Sequence, residues 1–381
     1  MKKCIIISDS FKGTLSSREI CDIAEAGVGK IFPGCQVVRV PVADGGEGTV
    51  ECFHEACGGE LVSCSVQGPY GEPIEAVYLQ LSGGRAVVEM ASAAGLPQVG
   101  DRKDPCRTST YGVGQIIRHA VERGNREILL GLGGSCTNDG GCGCAAALGV
   151  RFLDGEGTPF VPTGDTLDRI ASIDVSGAEA LLAGVQLAAM CDIDNPMHGP
   201  RGAAHIFGPQ KGADAATVEL LDRQLRALDG AMRRCLGREV ADIPGAGAAG
   251  GFGAGVLALL DGQLRPGIEV VLDLVGFEAL LEGCDVVFTG EGRLDSQSIG
   301  GKAISGIGKR ARRRGVPVVI LAGGVLPETE GICNDPESGI SAVFSINRQA
   351  MAFEESRRNS RDNYAYTIDN ILRLMALAEG I

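Results

Sequence analysis

Five short segments hold the residue types that phosphate or metal chemistry needs. Asp9-Ser10-Phe11-Lys12-Gly13-Thr14 gathers a carboxylate, a hydroxyl and an ammonium, a set able to bind Mg²⁺ and the phosphates it accompanies. A strand-to-helix turn with a surface lysine fits the same residues. Asp44-Gly45-Gly46-Glu47-Gly48-Thr49 opens a helix, where free backbone N–H groups favour an anion. The strongest segment is Gly131-Leu132-Gly133-Gly134-Ser135-Cys136-Thr137-Asn138-Asp139-Gly140-Gly141. Its glycines let backbone donors reach phosphate or carboxylate oxygens, and Ser135, Thr137 and Asn138 add side-chain hydrogen bonds. Cys191-Asp192-Ile193-Asp194-Asn195-Pro196, followed by Gly208-Pro209-Gln210-Lys211-Gly212, offers two acids as general base and metal ligand, or an Asx turn before the proline. In Thr289-Gly290-Glu291-Gly292-Arg293-Leu294-Asp295, Arg293 can clamp an oxyanion while Glu291 or Asp295 holds a metal, or Arg293 can pair with Asp295 as a structural link.

These segments stand where predicted strands end, and ligands of open α/β sheets bind outside the carboxyl ends of strands. Cys4-Ile5-Ile6-Ile7 predicts a first strand, Ser16-Ser17-Arg18-Glu19 a capping box opening a helix towards Phe32, and residues 36–42 a second strand. The rhythm returns with strands at 285–288, 317–321 and 342–345, a helix over 302–314 and a closing helix over 354–378. Between them, alternation around Gly68-Pro69-Tyr70-Gly71-Glu72-Pro73 predicts a hairpin. Short strands follow at 127–131 and 185–191, and a helix at 215–237. The expected architecture is α/β: a Rossmann-like doubly wound sheet formed by residues 1–59 and 268–381, with a second α/β domain, residues 60–267, inserted.

The net charge of −13, the absence of Trp and an aromatic content of 4% argue against nucleic-acid binding, which needs a basic face and stacking platforms. The expected partners are therefore small molecules. The first apolar run is too short for a signal peptide and no long apolar stretch follows, so a cytoplasmic protein without membrane segments is expected. The 14 cysteines lack zinc spacing and read as buried, reduced thiols. The run Lys309-Arg310-Ala311-Arg312-Arg313-Arg314 reads as a solvated helix face.

Two formal motifs fail. Gly245-Ala246-Gly247-Ala248-Ala249-Gly250 fits the dinucleotide spacing but follows no strand, and Gly301-Lys302 lacks the glycine and hydroxyl of a P-loop, having Ser296 and Ala303 in their places.

Taken together with Arg265-Pro266-Gly267 and the run Pro244–Gly251, the ordered blocks from residue 9 to about 346 closely resemble the type-1 bacterial glycerate kinase family. The resemblance implies ATP-dependent phosphorylation of D-glycerate with Mg²⁺ assisting, a 2-phospho product favoured over 3-phospho, and two α/β domains with the active site in the cleft between them. It makes Lys12, Lys211 and Arg293 the candidates for positive charge. Asp192 or Asp194 would act as base or metal ligand, with Asp44, Glu291 and Asp295 nearby. The metal candidates are Asp9 and Asp295. Ser10, Asp44, Gly45, Gly46, Gly133, Gly134, Ser135, Thr137, Asn138, Lys211, Gly290 and Glu291 are the candidates for contacts with substrate or ATP. Cys136 stands where the family often has alanine, and Cys142 and Cys144 enrich a loop that usually lacks cysteine, which raises the question of redox sensitivity. A homodimer is left open. Without the resemblance, the same residues also allow a nicotinamide-dependent reductase using residues 245–250, or a non-catalytic organic-acid-binding protein.

Overall fold

The computed structural model describes residues 1–11, 13–42, 45–295, 298, 303–349 and 353–380. The chain divides into two compact units: Met1–Ala43 with Glu55–Cys57 and Gly267–Ile381, and Asp44–His54 with Gly58–Pro266.

The first unit holds strands β1 (Lys3–Ser8), β2 (Gln36–Pro41), β12 (Val286–Leu294), β13 (Val318–Val325) and β14 (Ile340–Ser345), all parallel, in the order β14-β13-β12-β1-β2. Ile5, Ile6 and Ile7 of β1 are fully buried, as expected of a parallel strand covered on both faces. Counted among its own strands the order is 2-1-3-4-5, the flavodoxin-like version of the doubly wound sheet. The Rossmann-like order is not completed, because the chain leaves for the second unit after β2. Successive strands are added outward in opposite directions from β1 and from β12, so these two neighbours flank the switch point.

Ser16 caps the helix Ser17–Ile31 through the reciprocal box with Glu19 that its sequence predicts. That helix packs against Ser360–Ala378, and together they cover Cys4, Ile6, Phe288 and Leu321. The expected closing helix is two helices, Phe353–Arg358 and Ser360–Ala378, broken at Asn359. The basic run is only partly a solvated face. Arg310 is 12% exposed and bonds Glu269, Asp273 and Glu278, because its position on the helix Ala303–Arg313 turns it onto the neighbouring acidic helices rather than to solvent.

The second unit holds a six-stranded mixed sheet. Strands β3 (Glu60–Gln67), β4 (Pro73–Leu81) and β5 (Arg85–Glu89) are antiparallel neighbours; β5, β6 (Glu127–Gly131), β10 (Gln186–Met190) and β11 (Gln263–Arg265) run parallel. The predicted hairpin joins β3 to β4, and β3 alternates buried and exposed residues as a sheet with one wet face should. A three-stranded sheet of β7 (Arg151–Leu153), β8 (Pro159–Phe160) and β9 (Ser172–Asp174) was not expected. Two or three residues per strand are too few to show a period of two.

No helix among the described residues is long and apolar enough to cross a membrane. All 14 cysteines are free, but only Cys4, Cys21, Cys64, Cys136, Cys142 and Cys144 are buried; Cys333 is exposed and the others lie between. The expectation of uniformly buried thiols therefore fails, because many of these cysteines sit in loops or at element ends.

Candidate functional site

In the first unit, β1 ends at Ser8 while β12 runs on to Leu294, paired with β13 through Glu291↔Ala322 and Arg293↔Gly324. The segment read as a loop at 289–294 is therefore strand, and the edge of β12 past Phe288, which pairs with Ile6, extends beyond its partner. Asp9 N–H and Ser8 Oγ–H both donate to the Gly290 carbonyl, each at 3.0 Å. A side chain at 290 would come within 2.1 Å of the Leu321 carbonyl, so glycine is what lets the strands close here. Ser10 N–H bonds the Asp9 carboxylate at 2.6 Å. Ser17 Oγ–H holds the Ser8 carbonyl at 2.6 Å and accepts from Val42 N–H. The switch point thus brings Asp9, Ser10, Gly290 and Glu291 to one sheet edge. Asp295 makes an Asx-type turn with Ser298, and Arg293 is exposed. Lys12 lies outside the described residues.

In the second unit, Glu89, Gly131, Met190 and Arg265 form one row at the carboxyl ends of β5, β6, β10 and β11. Gly45 and Gly46 lie directly on that row: Gly133 N–H bonds the Gly45 carbonyl at 2.9 Å. A Cβ at Gly133 would fall 2.5 Å from Gly46 Cα, and one at Gly131 2.4 Å from the Gly45 carbonyl. The two glycine-rich segments are therefore stacked loops, and Asp44, next in the chain, lies outside the described residues. Gly134 has φ +74°, and its carbonyl accepts from Leu96 N–H.

Lys211 is 2% exposed, and its ammonium donates to Ser135 Oγ at 2.7 Å and the Thr137 carbonyl at 2.6 Å. Burial pushes its pKa down to about 8, with Cys136 and Asp139 opposing the shift. It acts as an internal strut of the loop, a role its sequence setting did not reveal. Asp139, fully buried, accepts from Thr110 N–H and Oγ–H at 2.8 Å and from the N–H groups of Gly141 and Gly143. Burial raises its pKa and those four bonds pull it back. Thr137 Oγ1 and both amide atoms of Asn138 are buried with no hydrogen-bond partner among the described residues.

Asp192 is the second residue past β10 and is exposed. Asp194 is 79% exposed and faces Arg201 at 3.4 Å. The run fitting the dinucleotide spacing is a wedge between these loops. Gly247 N–H bonds the Asn195 carbonyl at 3.0 Å, and the Gly250 carbonyl accepts from Gly140 N–H at 3.1 Å. Ala249, Gly250 and Gly251 are all left-handed, interrupting the helix Ala248–Leu259.

The comparisons with known proteins bear on this arrangement. A model of the glycerate kinase family matches residues 4–376. The chain belongs to the glycerate kinase family. Glycerate kinase of Bacillus cereus is 43% identical over 99% of this chain and 98% of its own length. Glycerate 2-kinase of Escherichia coli is 40% identical over 98% of each. A crystal structure assigned as a glycerate kinase 2 of Salmonella typhimurium LT2 superposes with a TM-score of 0.84 at 39% identity, covering 100% of both chains.

For a glycerate kinase family member, two carboxylates escaped the sequence reading as candidates. Asp139 was visible only as part of a glycine-rich loop. Glu89 was signalled by a lone charge ending an apolar run, Ala86-Val87-Val88-Glu89-Met90. It is buried and accepts from Val50 N–H in the first turn of the helix Thr49–Cys57, and burial raises its pKa to about 7 against that bond. A carboxyl of the protein itself thus accepts from Val50 at that helix start.

Proposed function

We propose that this chain transfers the γ-phosphoryl group of ATP to a hydroxyl of D-glycerate, with the 2-position favoured. The observation that carries the reading is the trio of buried polar atoms on Thr137 and Asn138 that have no partner among the described residues. Leaving such a group unsatisfied costs about 1–3 kcal/mol, a cost a small polyhydroxy acid bound there would offset. Ser135, held by Lys211, and the Gly134 N–H would take the carboxylate or phosphate oxygens.

Asp192 is the favoured base, since it stands two residues past Met190, the β10 member of the row with Gly131 and Arg265, whereas Asp194 lies two residues further along and faces Arg201. It would accept the hydroxyl proton as the new O–P bond forms. Arg293 and Lys12 would offset the charge of the phosphates. Carboxylates just past the ends of β1 and β12 in the first unit would also suit Mg²⁺, which is usually held by one or two carboxylates plus phosphates. Asp9 and Asp295 would hold it, and when bound it neutralises charge on the transferring group.

The test is glycerate-dependent ADP release with ATP and Mg²⁺. Asp192→Asn should lower kcat by about 10²–10⁴-fold and Asp194→Asn by less than about tenfold. Equal rates for Asp192→Asn and the unmodified chain would remove the assigned base.

A further inference from the structure

A second concavity lies in the first unit, at the carboxyl end of β14. Its volume is about 700 Å³, within the roughly 300–1,000 Å³ typical of small-molecule sites. Phe344 and Ser345, the last residues of β14, line it together with Asn347–Gln349 and one side of the helix Ser360–Ala378. The lining includes amides at Asn347, Gln349, Asn359, Asn363 and Asn370 but neither a carboxylate nor a lysine. Its one cation, Arg348, is already engaged: Nε donates to Asn363 Oδ1 at 2.9 Å and the guanidinium lies 5.1 Å from the centre of the Tyr366 ring.

That engagement fixes the Asn363 amide. Because Oδ1 accepts from Arg348, the other end must be the NH₂ group, and this Nδ2 is buried with no partner among the described residues. Asn363 is 1% exposed, so a donor without an acceptor here costs about 1–3 kcal/mol. Tyr366 is 54% exposed and offers an aromatic surface beside it. A fixed donor, further amides and an aromatic ring, with no uncommitted charge, suit a flat neutral heterocycle carrying ring-nitrogen acceptors rather than an anion.

The position narrows the choice. β14 is two strands from β12 and three from β1. At about 4.8 Å per strand, the pocket lies about 10–14 Å along the same carboxyl edge from the β1–β12 switch point. This matches the reach of ribose and phosphates between a nucleotide base and its terminal phosphate. We propose that this pocket receives the purine base of the nucleotide, with Asn363 Nδ2 donating to a ring nitrogen and Tyr366 against the ring. The assignment rests on the proposed use of ATP and adds where the base is read.

Titration calorimetry with ADP and with inorganic pyrophosphate tests it. ADP should bind the unmodified chain, and at least tenfold more weakly to Tyr366→Ala, whose exposed side chain can be removed without disturbing the core, and to Asn363→Leu. Pyrophosphate should bind all three alike. Tyr366→Ala binding ADP within twofold of the unmodified chain overturns the assignment, as does failure of the unmodified chain to bind ADP. An unmodified chain that shows the predicted ADP pattern but releases no glycerate-dependent ADP would uphold the base pocket and reject the phosphoryl-transfer reading.

Discussion

Thr137 and Asn138 carry the energetic argument at the scale of single residues. Thr137 Oγ1 and the two Asn138 amide atoms are buried with no partner among the described residues, while Asp139, next in the chain, has four donors. Three bonds in one loop are withheld, which is what a binding loop needs and a purely structural loop avoids. Thr137→Val should therefore stabilise the unliganded protein by about 1 kcal/mol in urea unfolding and lower kcat/KM for glycerate at least about tenfold. Stability and activity falling together would mean that the hydroxyl serves the fold. Glu89 gives a pH signature. Its folded pKa of about 7 stands above the ordinary value of 4.5, so the folded state binds more protons between these values and stability falls as pH rises through that window. The contribution is fully present below about 4.5 and lost by about 7, roughly 3 kcal/mol in all. Glu89→Gln should flatten the fall when unfolding free energies are compared from pH 4.5 to 7.5. An unchanged slope would mean that the carboxyl is solvated.

At the scale of elements, the stacked loops depend on backbone that side chains would push apart. A Cβ on Gly250 would fall 2.2 Å from the Thr137 carbonyl and 2.6 Å from Asn138 Cα, in a left-handed conformation. Gly250→Ala should thus cost about 2–4 kcal/mol in stability and at least about 10²-fold in kcat/KM for glycerate. Near-normal values of both would show that the wedge does not position the loop. The same wedge shows what the sequence could and could not reveal. Continuous runs such as Ile5-Ile6-Ile7 and the capping box of Ser16 with Glu19 are local signals, and both were legible. The motif segments were legible too, because glycines and polar residues follow apolar runs. The length of β12 was not, since residues 291–294 are strand only through pairing with 322–325. The strut role of Lys211 was equally hidden, because Ser135 lies 76 residues away. The same is true of the amide pocket, whose lining looks polar and unremarkable when read along the helix Ser360–Ala378.

At the scale of the whole molecule, each of the two sheets collects its motif residues at the carboxyl ends of parallel strands. This is where general topology places ligands. A chain with net charge −13 that handles anions must rely on local donors, and under the proposed reading the glycine loops would contribute backbone N–H groups. Membership of the glycerate kinase family over residues 4–376 agrees with that layout. The central claim is the bond that is made, and phosphorus NMR of the chain with ATP, Mg²⁺ and D-glycerate observes it directly. Loss of the γ-phosphate resonance is expected, with growth of a phosphate monoester split as a doublet by the single proton at carbon 2. A γ-phosphate that persists, or that appears only as inorganic phosphate, would contradict it.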